Sequence, residues 1–229
     1  MGQPGLSVII PTLNEAATLE SRLDRLLGLW VCGVEIIIVD GGSQDETVAK
    51  ASRVADRVIE SPPGRAVQMN AGAHAATARQ LLFLHADTQL PRRADRLIDE
   101  ALAGRHRWGR FDIRLEARHP MLPVIASAMN WRSRFTGIAT GDQALFMTRG
   151  AFDEVGGFPD QPLMEDIALS KRLRRLSPPA CLRQRVSSSG RRWEHNGAWP
   201  TILLMWRLRY RYWRGEAPEQ LARAYRDVR

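Results

Sequence analysis

Cysteine occurs only twice in the chain, at Cys32 and Cys181. The two lie far apart and form neither a zinc spacing nor a disulfide framework. A thiolate metal site is therefore excluded, and a reducing, cytoplasmic setting is the expectation. No apolar run approaches the roughly 18 residues of a membrane span; the nearest, WPTILLMW at 199–206, is far too short. The opening MGQPGLSVII has no basic stretch before a long apolar core, and its sixth residue is Leu6 rather than Ser or Thr. Neither a signal peptide nor myristoylation is expected. Lysine is confined to Lys50 and Lys171, although the net charge is +8. The excess positive charge is thus arginine, spread along the chain without a nucleic-acid motif. Phosphate groups or an anionic surface are the expected counterparts, and nucleic acid is not. The first apolar run is followed by no G-x-G-x-x-G, and no P-loop occurs anywhere, which disfavours a nicotinamide cofactor.

What is present is an ordinary globular composition, 44% hydrophobic and 25% charged over 229 residues, long enough for a real core. LSVIIP (6–11), VEIIIVD (34–40), RVIES (57–61) and LLFLHAD (81–87) read as strands. Helical patterns alternate with them. EAATLESRLDRLLGLW (15–30) spaces Leu19, Leu23, Leu26 and Leu27 helically, with Asn14 as the expected cap. QDETVAKASRVA (44–55), GRAVQMNAGAHAATA (64–78) and RRADRLIDEALAG (92–104) follow. Near-continuous apolar strands alternating with helices predict a doubly wound α/β sheet covered on both faces. In the second half GRFDIRLE (109–116), QALFMT (143–148) and CLRQRVSSS (181–189) read as strands. MLPVIASAMNWRSRF (121–135) and MEDIALSKRLRRL (164–176) read as helices. The tail from Trp199 to Arg229 reads as two basic helices broken near Gly215 and Pro218. The expected organisation is one domain over 1–198, with a regular half to about 104 and a less regular half beyond it. Residues 199–229 would pack on that same domain.

Ligands of parallel sheets bind at the carboxyl ends of the strands. Three such ends carry PTLNE (11–15), VDGGS (39–43) and HADT (85–88). Asp40 either contacts a base or ribose or only closes a turn. Asp87, two residues after His85, suits a hard divalent cation whose other ligands come from phosphates; the alternative is a solvated strand end. Glu165 and Asp166 open a helix, where the dipole alone would favour them. SSSGRRWEH (187–195) sets adjacent arginines beside Trp193 and His195, either for phosphate or as a solvated basic loop.

Taken together, these motifs resemble the family-2 glycosyltransferases of the GT-A fold. SVIIPTLNEAATL, IIIVDGGSQDET, GRAVQMNAGA, LLFLHADTQL, GDQALFMTR and MEDIALSKRL fall in that family's order over about residues 5–195. GRAVQMNAGA, LHADT and SSGRRWEHNG further resemble a small bacterial "transferase 2" subgroup associated with radical-SAM and selenodomain proteins and with arsenosugar biosynthesis. The resemblance implies a GT-A-type doubly wound mixed sheet with C-terminal helices, a nucleotide-diphospho-sugar donor, Mn2+ or Mg2+, and inversion at the anomeric carbon. Pro11, Thr12 and Glu15 would line the nucleoside pocket, Asp40 would touch the base, and Arg65 the base or phosphates. His85, Ala86 and Asp87 stand in the D-x-D position, with Asp87 holding the metal. Asp166 would be the general base with Glu165 in support. Asp142, Gln143, Arg191, Arg192 and Trp193 would face phosphate or acceptor, and His195 matches a late histidine metal ligand or is a plain loop histidine. The chain departs from the pattern at Gly41, where a second Asp is usual, and at His85, where the first Asp of D-x-D is usual.

The acceptor, small or lipid-linked, and the oligomeric state are not legible. A nucleotidyltransferase would need a Gly- and Lys-rich loop where PTLNEAA stands. A non-catalytic nucleotide-sugar-binding protein suits Gly41 and His85 but not the retained Asp87 and Asp166. The tail alternates Trp199, Trp206, Tyr210 and Trp213 with arginines. The expectation is a helix packed on the core with its arginines outward. The alternative is peripheral contact of 199–214 with the inner face of the membrane.

Overall fold

The computed structural model describes residues 4–20, 23–116, 119–190 and 197–226. Four parallel strands open the chain: β1 (Leu6–Thr12), β2 (Glu35–Asp40), β3 (Arg57–Glu60) and β4 (Gln80–Phe83). They continue into one eight-stranded sheet with β5 (Thr88–Gln89), β6 (Trp108–Glu116), β7 (Leu145–Thr148) and β8 (Ala180–Ser189), in the order β3-β2-β1-β4-β7-β6-β8-β5. Strand β7 runs antiparallel to β4 and to β6, β8 runs parallel to β6, and β5 runs antiparallel to β8. The sheet is therefore mixed, as the resemblance implied.

Its curl follows from chain length. Strand β5 stands four strand spacings from β4, about 19 Å in a flat sheet. Only five residue steps join Phe83 to Thr88, at most about 18 Å fully extended, and part of that path is the turn closed by the Thr88 amide on the His85 carbonyl at 2.9 Å. The far edge must fold back toward the end of β4. That closure sets residues 85–87 beside Ser187 and Ser188, the partners of β5.

The apolar strands sort their side chains by the period of two. Val8, Ile10, Ile36, Ile38, Leu82 and Leu84 enter one core, with Leu19 of α1 (Ala16–Glu20), Ala51 of α3 (Thr47–Ala51) and Ile98 of α5 (Ala94–Leu102). The helix α2 (Leu23–Val31) lies between α1 and β2 in the chain. Ile9, Ile37, Val39, Leu81 and Phe83 enter the other core. There they meet Met69 of α4 (Arg65–Ala75), Phe152 of α7 (Arg149–Glu154) and Leu169 of α8 (Glu165–Leu173). The helix α6 (Leu122–Thr136) is pinned to β6 by Asn130, which accepts from the Ile113 amide at 2.8 Å and donates to its carbonyl at 3.0 Å. Arg110 and Arg134 both pair with Asp112. Helices α9 (Ala198–Trp213) and α10 (Pro218–Arg226) supply Leu208, Leu221 and Tyr225 to a smaller cluster with Met164 and Ile167 at the start of α8.

The predicted elements are present with their ends moved by a few residues either way, the helix expected over 15–30 is described as α1 and α2, and α7 and β5 were not expected. Asn14 is a further correction. It does not cap α1: its side chain accepts from the Gln44 amide at 2.9 Å, and its own φ is 54°. Asp45 and Thr47 instead take the amides of Ala16 and Glu15, so the β2–α3 loop caps α1.

Helix α4 lies so close on β1 and β2 that a Cβ on Gly72 would overlap the Ile9 side chain and stand 2.9 Å from Val39. Overpacking a tight core costs about 1–3 kcal/mol. Gly72→Ala is predicted to lower unfolding stability by about that amount in a denaturant titration. Parent-like stability would mean that α4 sits less tightly on the sheet.

Candidate active site

The carboxyl end of β1 is tied to the β2 loop by buried groups. Pairing sets Thr12 beside Asp40, and the Gly41 amide donates to the Thr12 carbonyl at 2.9 Å. The Asp40 carboxylate, almost fully buried, accepts from the amides of Gly42 at 2.9 Å and Ser43 at 2.7 Å and from the Ser43 hydroxyl. Of the two readings of Asp40, the turn-closing one is present. Gln68, projecting inward from α4, donates to the carbonyls of Thr12 and Val39, both at 2.8 Å. A Cβ on Gly41 would come within 3.1–3.3 Å of the Gln68 amide group. The glycine that departs from the family pattern thus makes room for a glutamine that closes the strand ends. Pro11 and Glu15 remain partly exposed at the same corner.

Strand β4 leaves the sheet after Phe83, which pairs with Ile9 on one side and Leu145 on the other. Continuing the second register brings His85 to the 3₁₀ turn Gly141–Gln143. His85 Nδ1 stands 3.2 Å from Asp142 Oδ1, and its ring lies against Gly141, where any Cβ would overlap it. Asp87, partly exposed in the same turn as Ala86, has among the described residues only a long 3.4 Å bond from the Thr88 hydroxyl. Gln143, expected at phosphate or acceptor, is instead fully buried. It donates to Ser133 Oγ at 3.1 Å and closes a capping box with Thr140, so its side chain holds the turn and is not offered to a ligand.

Helix α8 begins at this turn. Asp166 Oδ2 accepts from the Gly141 amide at 2.8 Å and Oδ1 from the Ile167 amide at 2.7 Å. Its neighbour Glu165 is 4% exposed and stands 3.7 Å from Arg65 Nη1. Burial, then the Asp166 charge, pushes the Glu165 carboxyl above its ordinary range, against the pull of Arg65 and His85. Arg65, at the first turn of α4, keeps part of its side chain in water. Burial works against its charge, but Glu165, Asp142, Tyr225 and Asp166 outweigh it and hold the guanidinium charged.

Two arginines that the sequence did not single out join this group. Burial, then Arg209, pulls Arg132 of α6 down to about 10 against the attraction of Asp166. Its Nε and Nη2 are buried without a hydrogen-bond partner among the described residues. Arg209 of α9 is lowered by burial and held up by Asp166 and Asp142. Nothing in the tail's sequence marks Arg209 apart from Arg207 and Arg211; only the packing of α9 on α8 selects it. Arg191, Arg192, Trp193 and His195 lie outside the described residues. Among the described residues no three His, Cys, Asp or Glu side chains gather into a ready-made metal site. Asp87 therefore fits a cation only as one donor among others, as when a diphosphate supplies the rest. A separate groove lined by Thr77, Arg79, Gln80, Asp99, Arg149 and Asp153 lies at the start of β4 and contains none of these groups.

Residues 7–156 match the model of Glycosyl transferase family 2. The chain belongs to that family. A PGL/p-HBAD biosynthesis glycosyltransferase of Mycobacterium bovis is 40% identical over 97 residues, which cover 39% of this chain and 38% of the relative, and a Mycobacterium tuberculosis counterpart matches equally. The match thus spans well under half the length of those curated relatives. Among solved structures, the mannosyltransferase PcManGT from Pyrobaculum calidifontis, in complex with GDP-Man and Mn2+, superposes with a TM-score of 0.66 at 20% identity over 100% of this chain and 70% of its own. Glucosyl-3-phosphoglycerate synthase from Mycobacterium tuberculosis, in complex with Mn2+, UDP and glucosyl-3-phosphoglycerate, gives 0.55 at 22% identity over 82% of this chain and 71% of its own. These neighbours are GT-A glycosyltransferases, and this family-2 chain has the same mixed α/β fold with C-terminal helices.

The raised Glu165 carboxyl has a consequence with a definite sign. The folded chain holds that proton more tightly than the unfolded one. The contribution of Glu165 to stability is therefore lost as pH rises from its unfolded value through its higher folded value. Glu165→Gln carries no such charge. Its melting temperature is expected to exceed the parent's at pH 7.5, with the gap shrinking toward pH 4. A variant less stable than the parent at pH 7.5 would show that the Arg65 pairing outweighs burial.

Proposed function

We propose that this chain is an inverting glycosyltransferase that moves a sugar from a nucleotide-diphospho-sugar to an acceptor hydroxyl, with Asp166 as general base. The observation that carries this is the difference between neighbouring carboxylates. Glu165 is sealed and faces Arg65, while Asp166 is only partly buried and is aimed by two backbone amides. Each Asp166 oxygen keeps a lone pair for a proton.

In this reading the acceptor oxygen attacks the anomeric carbon while its proton passes to Asp166. The bond from that carbon to the diphosphate oxygen breaks, and the nucleoside diphosphate leaves with the electron pair. Attack opposite the leaving group inverts the centre. Arg65 lies where it can meet negative charge on the donor, and Arg132 and Arg209 keep the carboxylate cluster from repelling an anion. Pro11, Thr12, Glu15 and Asp40 shape the nucleoside corner, with Asp40 acting through the loop it closes. His85 and Ala86 shape the turn that presents Asp87. A bound Mn2+ or Mg2+, held by Asp87 and the diphosphate, would neutralise charge on the leaving group.

The donor class is supported by family membership and by the GDP-Man of PcManGT and the UDP of the synthase from Mycobacterium tuberculosis. From sequence, Asp142, Arg191, Arg192 and Trp193 belong to phosphate or acceptor, and His195 to the metal. The motifs GRAVQMNAGA, LHADT and SSGRRWEHNG support the radical-SAM-associated "transferase 2" subgroup. We read residues 1–198 as one catalytic domain with 199–229 packed on it. The two free cysteines fit a reducing compartment, and we place the reaction in the cytoplasm.

Asp166→Asn separates the base from the donor site. An amide can keep only one of the two backbone bonds, so stability should fall by about 1 kcal/mol. Donor affinity should stay near the parent's, while turnover falls on the order of 10²–10⁴-fold. Near-normal turnover would eliminate Asp166 as the base. Asp87→Ala should instead weaken nucleotide-sugar binding in manganese and stop turnover, with His85→Ala doing less; calorimetry of the two variants checks this, and unchanged donor affinity in Asp87→Ala would remove Asp87 from the donor site.

A further inference from the structure

Helix α9 packs on the core through Leu208, with Arg209 turned partly inward and Arg207 and Arg214 outward, while Trp199, Trp206, Tyr210 and Trp213 face water. Trp199, Leu203, Trp206, Tyr210 and Trp213 are between 58% and 72% exposed. Their spacing of four, three, four and three residues places them in one stripe along the helix, about 21 Å long at 1.5 Å per residue. The neighbouring helix α6 adds Val124, Trp131 and Phe135, exposed by 59%, 61% and 81%. The two helices touch at two places: Ile202 packs on the cluster of Leu122 and Ile125, and Arg209 is close enough to Arg132 to lower its pKa. Eight of the twelve large hydrophobic residues exposed among the described residues sit on these two helices. A concentration of that kind marks an interaction surface.

The chemistry of the stripe selects the occupant. Neither α6 nor α9 contains an aspartate or glutamate. Arg207 and Arg214 are exposed beside the stripe, and Arg211 is held by Glu216. A second copy of this chain would bring the same positive face against itself. In the exposed stripe of α9 three Trp and one Tyr stand against a single Leu, the composition that settles at the level of lipid headgroups. None of the described helices is long and apolar enough to cross a membrane, so the face would lie on the surface. We propose that the α6–α9 face docks this protein onto an anionic membrane surface, with Trp199, Trp206, Tyr210 and Trp213 at the headgroup level and Arg207 and Arg214 on lipid phosphates. Arg209, on the flank of α9 beside the stripe, enters the Asp166 cluster, so docking would set the acceptor side of the site next to the lipid. The docking itself does not depend on the assignment of the base.

Co-sedimentation of the full chain with phosphatidylcholine vesicles, with and without 30% phosphatidylglycerol, tests this, the lipid fraction being set to about a third for strong surface potential. The parent should bind the anionic vesicles, weaken at high salt and ignore pure phosphatidylcholine. Trp206→Ala with Trp213→Ala, both exposed and so expected to keep the parent melting temperature, should weaken binding about tenfold or more. Arg207→Glu with Arg214→Glu should weaken it by roughly fivefold or more for each arginine. Absence of binding to the anionic vesicles, or binding unchanged in both variants, would overturn the proposal. So would a parent dimer in light scattering that Trp206→Ala with Trp213→Ala dissociates, since the occupant would then be a second copy.

Discussion

Gly141 is where three parts of the chain meet, and the meeting leaves no room for a side chain. The His85 ring occupies the space that a Cβ would need, and the Gly141 amide donates to Asp166 at 2.8 Å. One backbone position therefore couples the end of β4, the turn before β7 and the first turn of α8. A residue with a Cβ at this point would push His85 away or lift the turn off α8, and either movement would separate the HAD turn from Asp166. The pairing of Phe83 with Leu145 delivers the turn to that place, and the buried Gln143 side chain keeps it there.

Around this contact the charges come in balanced numbers. Asp142, Glu165 and Asp166 face Arg65, Arg132 and Arg209, drawn from the turn, α8, α4, α6 and α9. The balance permits three carboxylates to crowd together, although burial still pushes Glu165 upward. An anionic donor thus meets a site that is locally near neutral rather than strongly negative. Five of these six groups, all but Arg65, belong to the part of the chain after residue 130. The site is consequently a joint construction of the parallel half and the later helices. The same two late helices, α6 and α9, turn their remaining faces to solvent with aromatic residues.

The parallel half was legible in sequence because its signals are local. Continuous apolar strands, polar strand ends and regular helix spacing each sit within a dozen residues. Pro11, Asp40, His85, Asp87 and Asp166 were found as strand or helix ends, which a sequence displays directly. Asn14, Gln68, Gln143 and Arg209 were misread or passed over because their partners are distant. Gln68 reaches carbonyls 56 and 29 residues away. Gln143 turns inward because Ser133 and Asn130 wait on α6. The curl of the sheet was equally hidden, since the two-residue β5 is too short to show a pattern. The inward turn of Arg209 on α9 was not foreseen. Arginines and aromatics alternate there so densely that periodicity alone does not tell which face packs.

A glycosyltransferase built in this way must receive a nucleotide sugar at the strand ends around Gly141. Thermal denaturation of the parent chain against a panel of UDP- and GDP-sugars, each with and without manganese, is the most direct measurement. A ligand at about a hundredfold its dissociation constant stabilises the folded state by about 2.7 kcal/mol. At least one nucleotide sugar should raise the melting temperature by several degrees, and more in manganese than without it. No shift with any nucleotide sugar, at millimolar ligand and with the cation present, would contradict the central claim.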